Sequence, residues 1–262
     1  MINFNIGISP CPNDTFIFEA LYNAKIDTQD FKFNFFLEDV ETLNQWALQE
    51  KLDISKISFG VLNKINHNYS LLNAGAALGN GVGPILIAKN DISLNQINNY
   101  TIGIPGENTT AHFLLNVAFP NITKKIFLPF HQIEDAILNN TIDAGVIIHE
   151  NRFTYQQKNL IALMDLGNFW EEKNKLPIPL GGIVLHNTHF KYKQKIELLI
   201  YNSLVFANKN YSNIYPSFIT DNAQSMDSIT IQKHINLYVN EFSLSLGTKG
   251  LQAINTLLNT KL

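Results

Sequence analysis

Short apolar runs alternate with stretches of helical spacing over the first two thirds of the chain. Residues 4–9 read as a strand, and the turn-rich PCPND follows. Residues 15–23 then place Phe16, Ala20 and Asn23 at helical spacing. Residues 31–36 predict a strand, and 40–49 a helix begun by Asp39, with Glu41 in its first turn. Further strands are expected at 54–58, 83–88, 101–105, 125–128 and 144–149, and helices at 59–65, 110–118 and 133–139. Alternating strand and helix argues for an α/β protein with mostly parallel sheets. After a strand at 180–185 only helices are expected, at 193–208, 212–220, 229–240 and 249–259. Two composition breaks, AGAALGNGVGP (74–84) and LPIPLGG (176–182), mark crossovers between two lobes. The expected division is residues 1–86 plus 183–262 in lobe one and 87–182 in lobe two.

Composition narrows the function classes. The chain has 262 residues, 45% hydrophobic and 16% charged, which excludes intrinsic disorder. A chain of this length buries roughly 70–75% of its unfolded surface, so its core needs no staples. Its 22 acids outnumber its 19 bases, and one base alone, Arg152, is arginine. That balance argues against nucleic acid, whose phosphates need a clustered basic surface. One cysteine, Cys11, makes neither an internal disulfide nor a cysteine-rich metal site. Apolar runs such as 144–148 fall short of the roughly 20 residues that span a bilayer, so no membrane role is expected. MINFNIGISP carries no basic leader and no long apolar segment, and the cytoplasm is the expected compartment.

Three segments share one design of strand, polar turn and helix start: IGISPCPNDTF, ISKISFG and TIGIPGENTTAHF. In α/β sheets ligands bind beyond the carboxyl ends of strands, where helix N-termini offer free amides to an anion. Asn13 and Asp14 lie in the first turn, and Lys56, Ile57 and Ser58 in the second. In the third, Thr109 reads as an N-cap that leaves the amides of Thr110 and Ala111 facing the cleft. Each hydroxyl could equally serve as a cap and nothing more. PGENTT lacks the Gly-Lys-Ser/Thr of a phosphate loop, and GNGVG precedes a strand, so no nicotinamide cofactor is expected.

His149 ends the apolar run AGVII, which would deliver its imidazole to the carboxyl edge of a sheet as a proton shuttle. A plain hydrogen-bonding histidine at a strand end is the competing reading. Arg152 stayed arginine where every other cation is lysine, which suggests a need for its planar fork. Its partner is either the substrate or a buried acid such as Asp14 or Glu150. His67, His186, His189 and His234 read as mostly surface residues, and no metal site is expected. Cys11 sits near a helix start with no obvious base beside it.

These segments carry a resemblance. SPCPNDTFIFEAL, LEDVETLNQWAL, AALGNGVGP, PGENTTAHFLL, AGVIIHENRFTY, DLGNFWEEKNKLPIPLGGI and YVNEFSLSLGTKG together resemble the 1,4-dihydroxy-6-naphthoate synthases of the futalosine route to menaquinone. SPCPNDTF and IIHENRFTY are the most specific. The resemblance implies a two-lobed, periplasmic-binding-protein-like (type II) fold, with two mixed or parallel sheets, flanking helices and a cleft between lobes. It implies a lyase that cleaves cyclic dehypoxanthine futalosine to 1,4-dihydroxy-6-naphthoate and dihydroxyacetone without a cofactor. The family's proton acceptor falls on His149, and its substrate contacts fall on Lys56, Ile57, Ser58, Thr110 and Ala111. The implied partner is a small carboxylate substrate, and a homodimer is left open. Two rivals stand beside this reading: a small-anion solute-binding protein without catalysis, and the sister chorismate dehydratase of the same pathway.

Overall fold

A computed structural model describes residues 1–212, 214–223 and 227–260. Its strands are β1 (Ile2–Ile8), β2 (Phe31–Leu37), β3 (Ile54–Ser58), β4 (Tyr69–Leu71), β5 (Ala77–Gly79) and β6 (Ile85–Ala88), then β7 (Ile102–Ile104), β8 (Lys125–Phe127), β9 (Ala144–Ile147), β10 (Ile161–Asp165) and β11 (Ile178–His186). They form two sheets. The first runs β2-β1-β3-β11-β4, with β5 also paired to β11, and the second runs β10-β6-β9-β7-β8. Both are mixed. In the first sheet β1 lies parallel to β2 and β3, and β11 is antiparallel to its neighbours. In the second, β7 is parallel to β8 and β9, while β6 is antiparallel to β9 and β10.

The burial follows sheet position. Edge strand β2 alternates, with Lys32, Asn34 and Phe36 outward. Central β3 is buried at every residue because helices cover both faces. One apolar cluster joins the two sheets through Ile57, Phe59, Leu86, Ile104, Leu114 and Trp170. A second packs Phe4, Ile6 and Ile8 of β1 against the 18-residue helix Lys193–Asn210.

Chain crossings occur between β5 and β6 and again between β10 and β11. The expected boundaries at 86 and 182 therefore fall inside strands β6 and β11. The first helix begins earlier than the pattern suggested, at Pro12, because a proline ring is pre-set for the first helical position and needs no donor there. The expected helix 59–65 splits into a 3-10 turn, Phe59–Val61, and a short α-turn, Leu62–Ile65. Of the expected helix 212–220, residue 213 lies outside the described residues, and Ser217–Thr220 is helical. Strands β4, β5 and β10 and the helix Leu166–Asn174 were not expected from the pattern. Among the described residues no helix is long and apolar enough to cross a membrane.

Two glycines permit close backbone approaches, the first between the halves and the second beside the paired strands β6 and β10. A Cβ on Gly60 would lie 2.8 Å from the Thr109 carbonyl oxygen, so the turn after β3 touches the start of the Thr110–Ala118 helix. A Cβ on Gly83 would lie 2.2 Å from the Gly167 Cα, which explains the glycine-rich break before β6. Polar contacts cross the same seam. Glu41 accepts from the Asn108 amide at 3.0 Å and from its side chain at 2.8 Å, and Lys64 donates to Asn108 at 2.9 Å.

Candidate active site

The seam encloses a cavity lined from both halves. The end of β1 and the helix Pro12–Tyr22 contribute Ser9, Asn13 and Asp14, and β3 contributes Lys56, Ile57 and Ser58. Thr109, Thr110 and Ala111 come from a helix start in the second half, and Ile148 and His149 follow β9. Val40, Ala77, Pro84, Leu180, Gly181 and Tyr238 complete the wall. Nine of the ten expected site residues thus face one space.

Asp14 anchors the floor. It is 0% exposed, and its carboxylate accepts from Ser9 N (3.2 Å), Ser9 Oγ (2.7 Å), Asn13 Nδ2 (2.8 Å) and Lys56 Nζ (2.7 Å). Four donors satisfy a buried charge that would otherwise be costly. Asn44, also buried, holds Ser58 by accepting from its amide (2.8 Å) and donating to its hydroxyl (3.1 Å). The Thr109 hydroxyl caps its helix by accepting from His112 N at 3.2 Å. The Thr110 hydroxyl donates to the Leu180 carbonyl (2.7 Å) and accepts from the Gly60 amide (3.1 Å). That hydroxyl is fully engaged, so what the helix start can offer an anion is the amides of Thr110 and Ala111.

His149 sits just past β9 with φ 56°, in the left-handed region that non-glycine residues seldom adopt. Its Nδ1 lies 3.5 Å from the Cys11 sulfur, and Nε2 has no hydrogen-bond partner among the described residues. Phe130 meets the ring edge to face at 5.0 Å, and the His234 ring lies near-parallel at 6.4 Å. Burial pushes the His149 imidazole down to about 4; Lys56 adds to the lowering and Asp14 opposes it. At neutral pH the ring is therefore uncharged and can accept a proton.

Arg152 does not line the cavity, contrary to its expected place among the substrate contacts. Its Nη1 donates to the Gly83 carbonyl, and its Nη2 lies 3.1 Å from Asp165. Asp165 in turn caps the Leu166–Asn174 helix through the amides of Gly167 and Asn168. The fork is needed to join β6, β10 and that helix start, none of which the sequence pattern had placed together. Arg152→Lys should lose one of the two contacts and about 1.5–3 kcal/mol of stability. A urea midpoint equal to that of the parent chain would refute this.

Two further corrections concern histidine and cysteine. His234 is 0% exposed, and neither ring nitrogen has a hydrogen-bond partner among the described residues. An amphipathic helix pattern did not reveal that its face turns inward onto Tyr238. Cys11 does have a base beside it, supplied from 138 residues away in sequence. His186 and His189 pair with Glu50 and Asp53. Among the described residues no three His, Cys, Asp or Glu side chains converge on a metal-sized site.

Glu150 adds a titration of opposite sign. Burial, with Glu134 nearby, raises its carboxyl to about 7, and its Oε2 has no partner among the described residues. Between about 4 and 6.5 the unfolded chain binds a proton at His149 that the folded chain lacks, so stability rises with pH. Between 4.5 and about 7 the folded chain holds a proton at Glu150 that the unfolded chain has released, so stability falls with pH. The two effects oppose each other. Glu150→Gln should therefore give a melting temperature that climbs more steeply from pH 4.5 to 6.5 than the parent's, and a higher one at pH 8. Parallel melting curves for the two proteins would refute the assignment.

A family model for menaquinone biosynthesis matches residues 4–261. The chain belongs to the menaquinone-biosynthesis family. Within that family, a 1,4-dihydroxy-6-naphthoate synthase of Thermus thermophilus is 34% identical over 250 residues, covering 95% of this chain and 90% of the relative. One from Streptomyces coelicolor is 34% identical over 261 residues, covering 97% and 90%. The crystal structure of a protein from Archaeoglobus fulgidus superposes with TM-score 0.90 at 28% identity, covering 98% of this chain and 95% of that one. The periplasmic aliphatic sulphonate binding protein of Escherichia coli superposes with TM-score 0.63 at 10% identity, covering 98% and 86%. The chain thus has a periplasmic-binding-protein-like fold, built here from two mixed sheets flanked by helices.

Proposed function

We propose that this chain is a cytoplasmic carbon–carbon lyase that converts cyclic dehypoxanthine futalosine to 1,4-dihydroxy-6-naphthoate and dihydroxyacetone. The reading rests first on the two relatives named as 1,4-dihydroxy-6-naphthoate synthases, each aligned over nearly the whole chain. The observation in the site that carries it is a neutral imidazole and a helix N-terminus facing one cavity from separate elements. His149 Nε2 takes a carbon-bound proton. The bond to the sugar-derived fragment then breaks, and aromatisation of the new ring drives the reaction forward.

The surrounding groups suit that task. The amides of Thr110 and Ala111 hold the substrate carboxylate at the positive end of their helix. Lys56, Ser58 and Asn13 present polar groups to the oxygen that gains charge. The seam through Glu41, Asn108 and Thr110 shuts water out once both halves grip the substrate.

Incubation of the purified chain with cyclic dehypoxanthine futalosine should release 1,4-dihydroxy-6-naphthoate, read by liquid chromatography and mass spectrometry. Thermal protection by the compound without any product would replace this reading with that of a solute-binding protein. Turnover of chorismate would replace it with the sister dehydratase.

A further inference from the structure

We propose that Cys11 is a positioning residue for His149, selecting the imidazole tautomer that leaves the Nε2 lone pair facing the cavity. The inference rests on His149 being the proton acceptor. A neutral imidazole carries one N–H, so one ring nitrogen donates and the other accepts. If Nδ1–H donates to the Cys11 sulfur, Nε2 is a base. If the thiol donates to Nδ1 instead, Nε2 bears the hydrogen and cannot take another proton.

The geometry leaves the choice to this one pair, and the chemistry of the proton transfer favours the first arrangement. The Cys11 sulfur, 3.5 Å from Nδ1, is the hydrogen-bond partner of this ring among the described residues. His234, the other polar ring alongside, makes no hydrogen bond through its own nitrogens among the described residues, so it packs beside the base without orienting it. Finally, the sulfur suits both states of the reaction. After Nε2 is protonated, the imidazolium must carry a hydrogen on Nδ1, and an acceptor already stands there. No group moves during the proton transfer, which is the advantage of a preorganised site.

The ring itself has little freedom to turn. The left-handed backbone at residue 149, the edge contact from Phe130 and the parallel face of His234 hold its plane. Burial keeps the Cys11 thiol protonated, its ionisation pushed well above the usual range, with Glu150 adding to the effect. The thiol is therefore not a nucleophile, and its sulfur lone pairs stand beside Nδ1 on a fixed turn, just before Pro12. The charged and titratable groups around the pair are Asp14, Lys56, Asp39, Glu150, His234 and Tyr238.

The test uses nitrogen-15 NMR of histidine-labelled protein at pH 7, with the His149 signals assigned by their loss in His149→Asn. The parent chain should show His149 protonated at Nδ1. Cys11→Ala should lose that preference and lower kcat about tenfold or more, with KM within about twofold. Cys11→Ser, whose hydroxyl can also accept, should restore the Nδ1–H form and most of kcat. A parent His149 protonated at Nε2, or a Cys11→Ala variant with unaltered tautomer and kcat, would overturn the proposal. Neither result touches the product assay, so failure of this inference and failure of the proposed reaction are told apart.

Discussion

Replacing His149 with asparagine should lower kcat by about a thousandfold while the fold and ligand protection survive, in line with the 10²–10⁴ that a positioned base supplies. Asparagine is the right probe because residue 149 sits at φ 56°. Asparagine tolerates that left-handed backbone, whereas alanine would add strain of about 1 kcal/mol and confuse a lost base with a shifted loop. The amide fills part of the ring's space between Phe130 and His234, yet has no lone pair basic enough to take a carbon-bound proton. Steady-state kinetics would give the loss, and a thermal shift with substrate would show that the cavity still closes. A variant within tenfold of the parent's kcat would assign the base to another group, Glu150 being nearest in the chain.

Removing the ammonium of Lys56 should produce the largest loss of stability. Lys56 and Asp14 are 2.7 Å apart, with side chains 7% and 0% exposed. Breaking such a pair from one side costs about 3–5 kcal/mol, because the remaining charge stays buried without its counter-ion. For a chain of this size Lys56→Met should lower the melting temperature by roughly 10 °C. Adding Asp14→Asn should recover most of that loss, since no charge is then stranded. It should not restore turnover, because Lys56 also faces the cavity. A single variant as stable as the parent, or a double variant no better than the single, would show that the pair does not hold the floor.

Much of this site could be read from residue order, for a physical reason. The three strand–turn–helix segments keep their polar residues within a few positions of a helix start, so local pattern alone brings Asp14, Lys56 and Thr110 to sheet edges. His149 follows from the same logic at the end of β9. What stayed hidden depends on contacts between distant segments. Strands β4 and β5 are three residues long and make sense only once β11 has arrived to pair with both along one edge. Leu180, Gly181 and Tyr238 reach the cavity through that arrangement, with no motif of their own. Arg152 was rightly singled out by its rarity, but its carboxylate, Asp165, lies in a strand the pattern did not show. Cys11 and His149 illustrate the same limit, since their meeting follows from the crossing of the chain and not from any spacing.

The order of strands in the first sheet has a bearing on how the chain is made. The second sheet draws on residues 85–165 without interruption, so it can close as soon as that stretch has left a ribosome. The first sheet cannot. β4 and β5 pair with β11, and β3 needs β11 along one edge. Until residue 186 emerges, that edge is open and free to pair with a neighbouring nascent chain. A growing polypeptide thus carries His149 on a finished half before its counterpart, the Asp14–Lys56 floor, is locked. The helices that follow β11 then pack on the older half, so the floor is locked only after residue 186 has emerged.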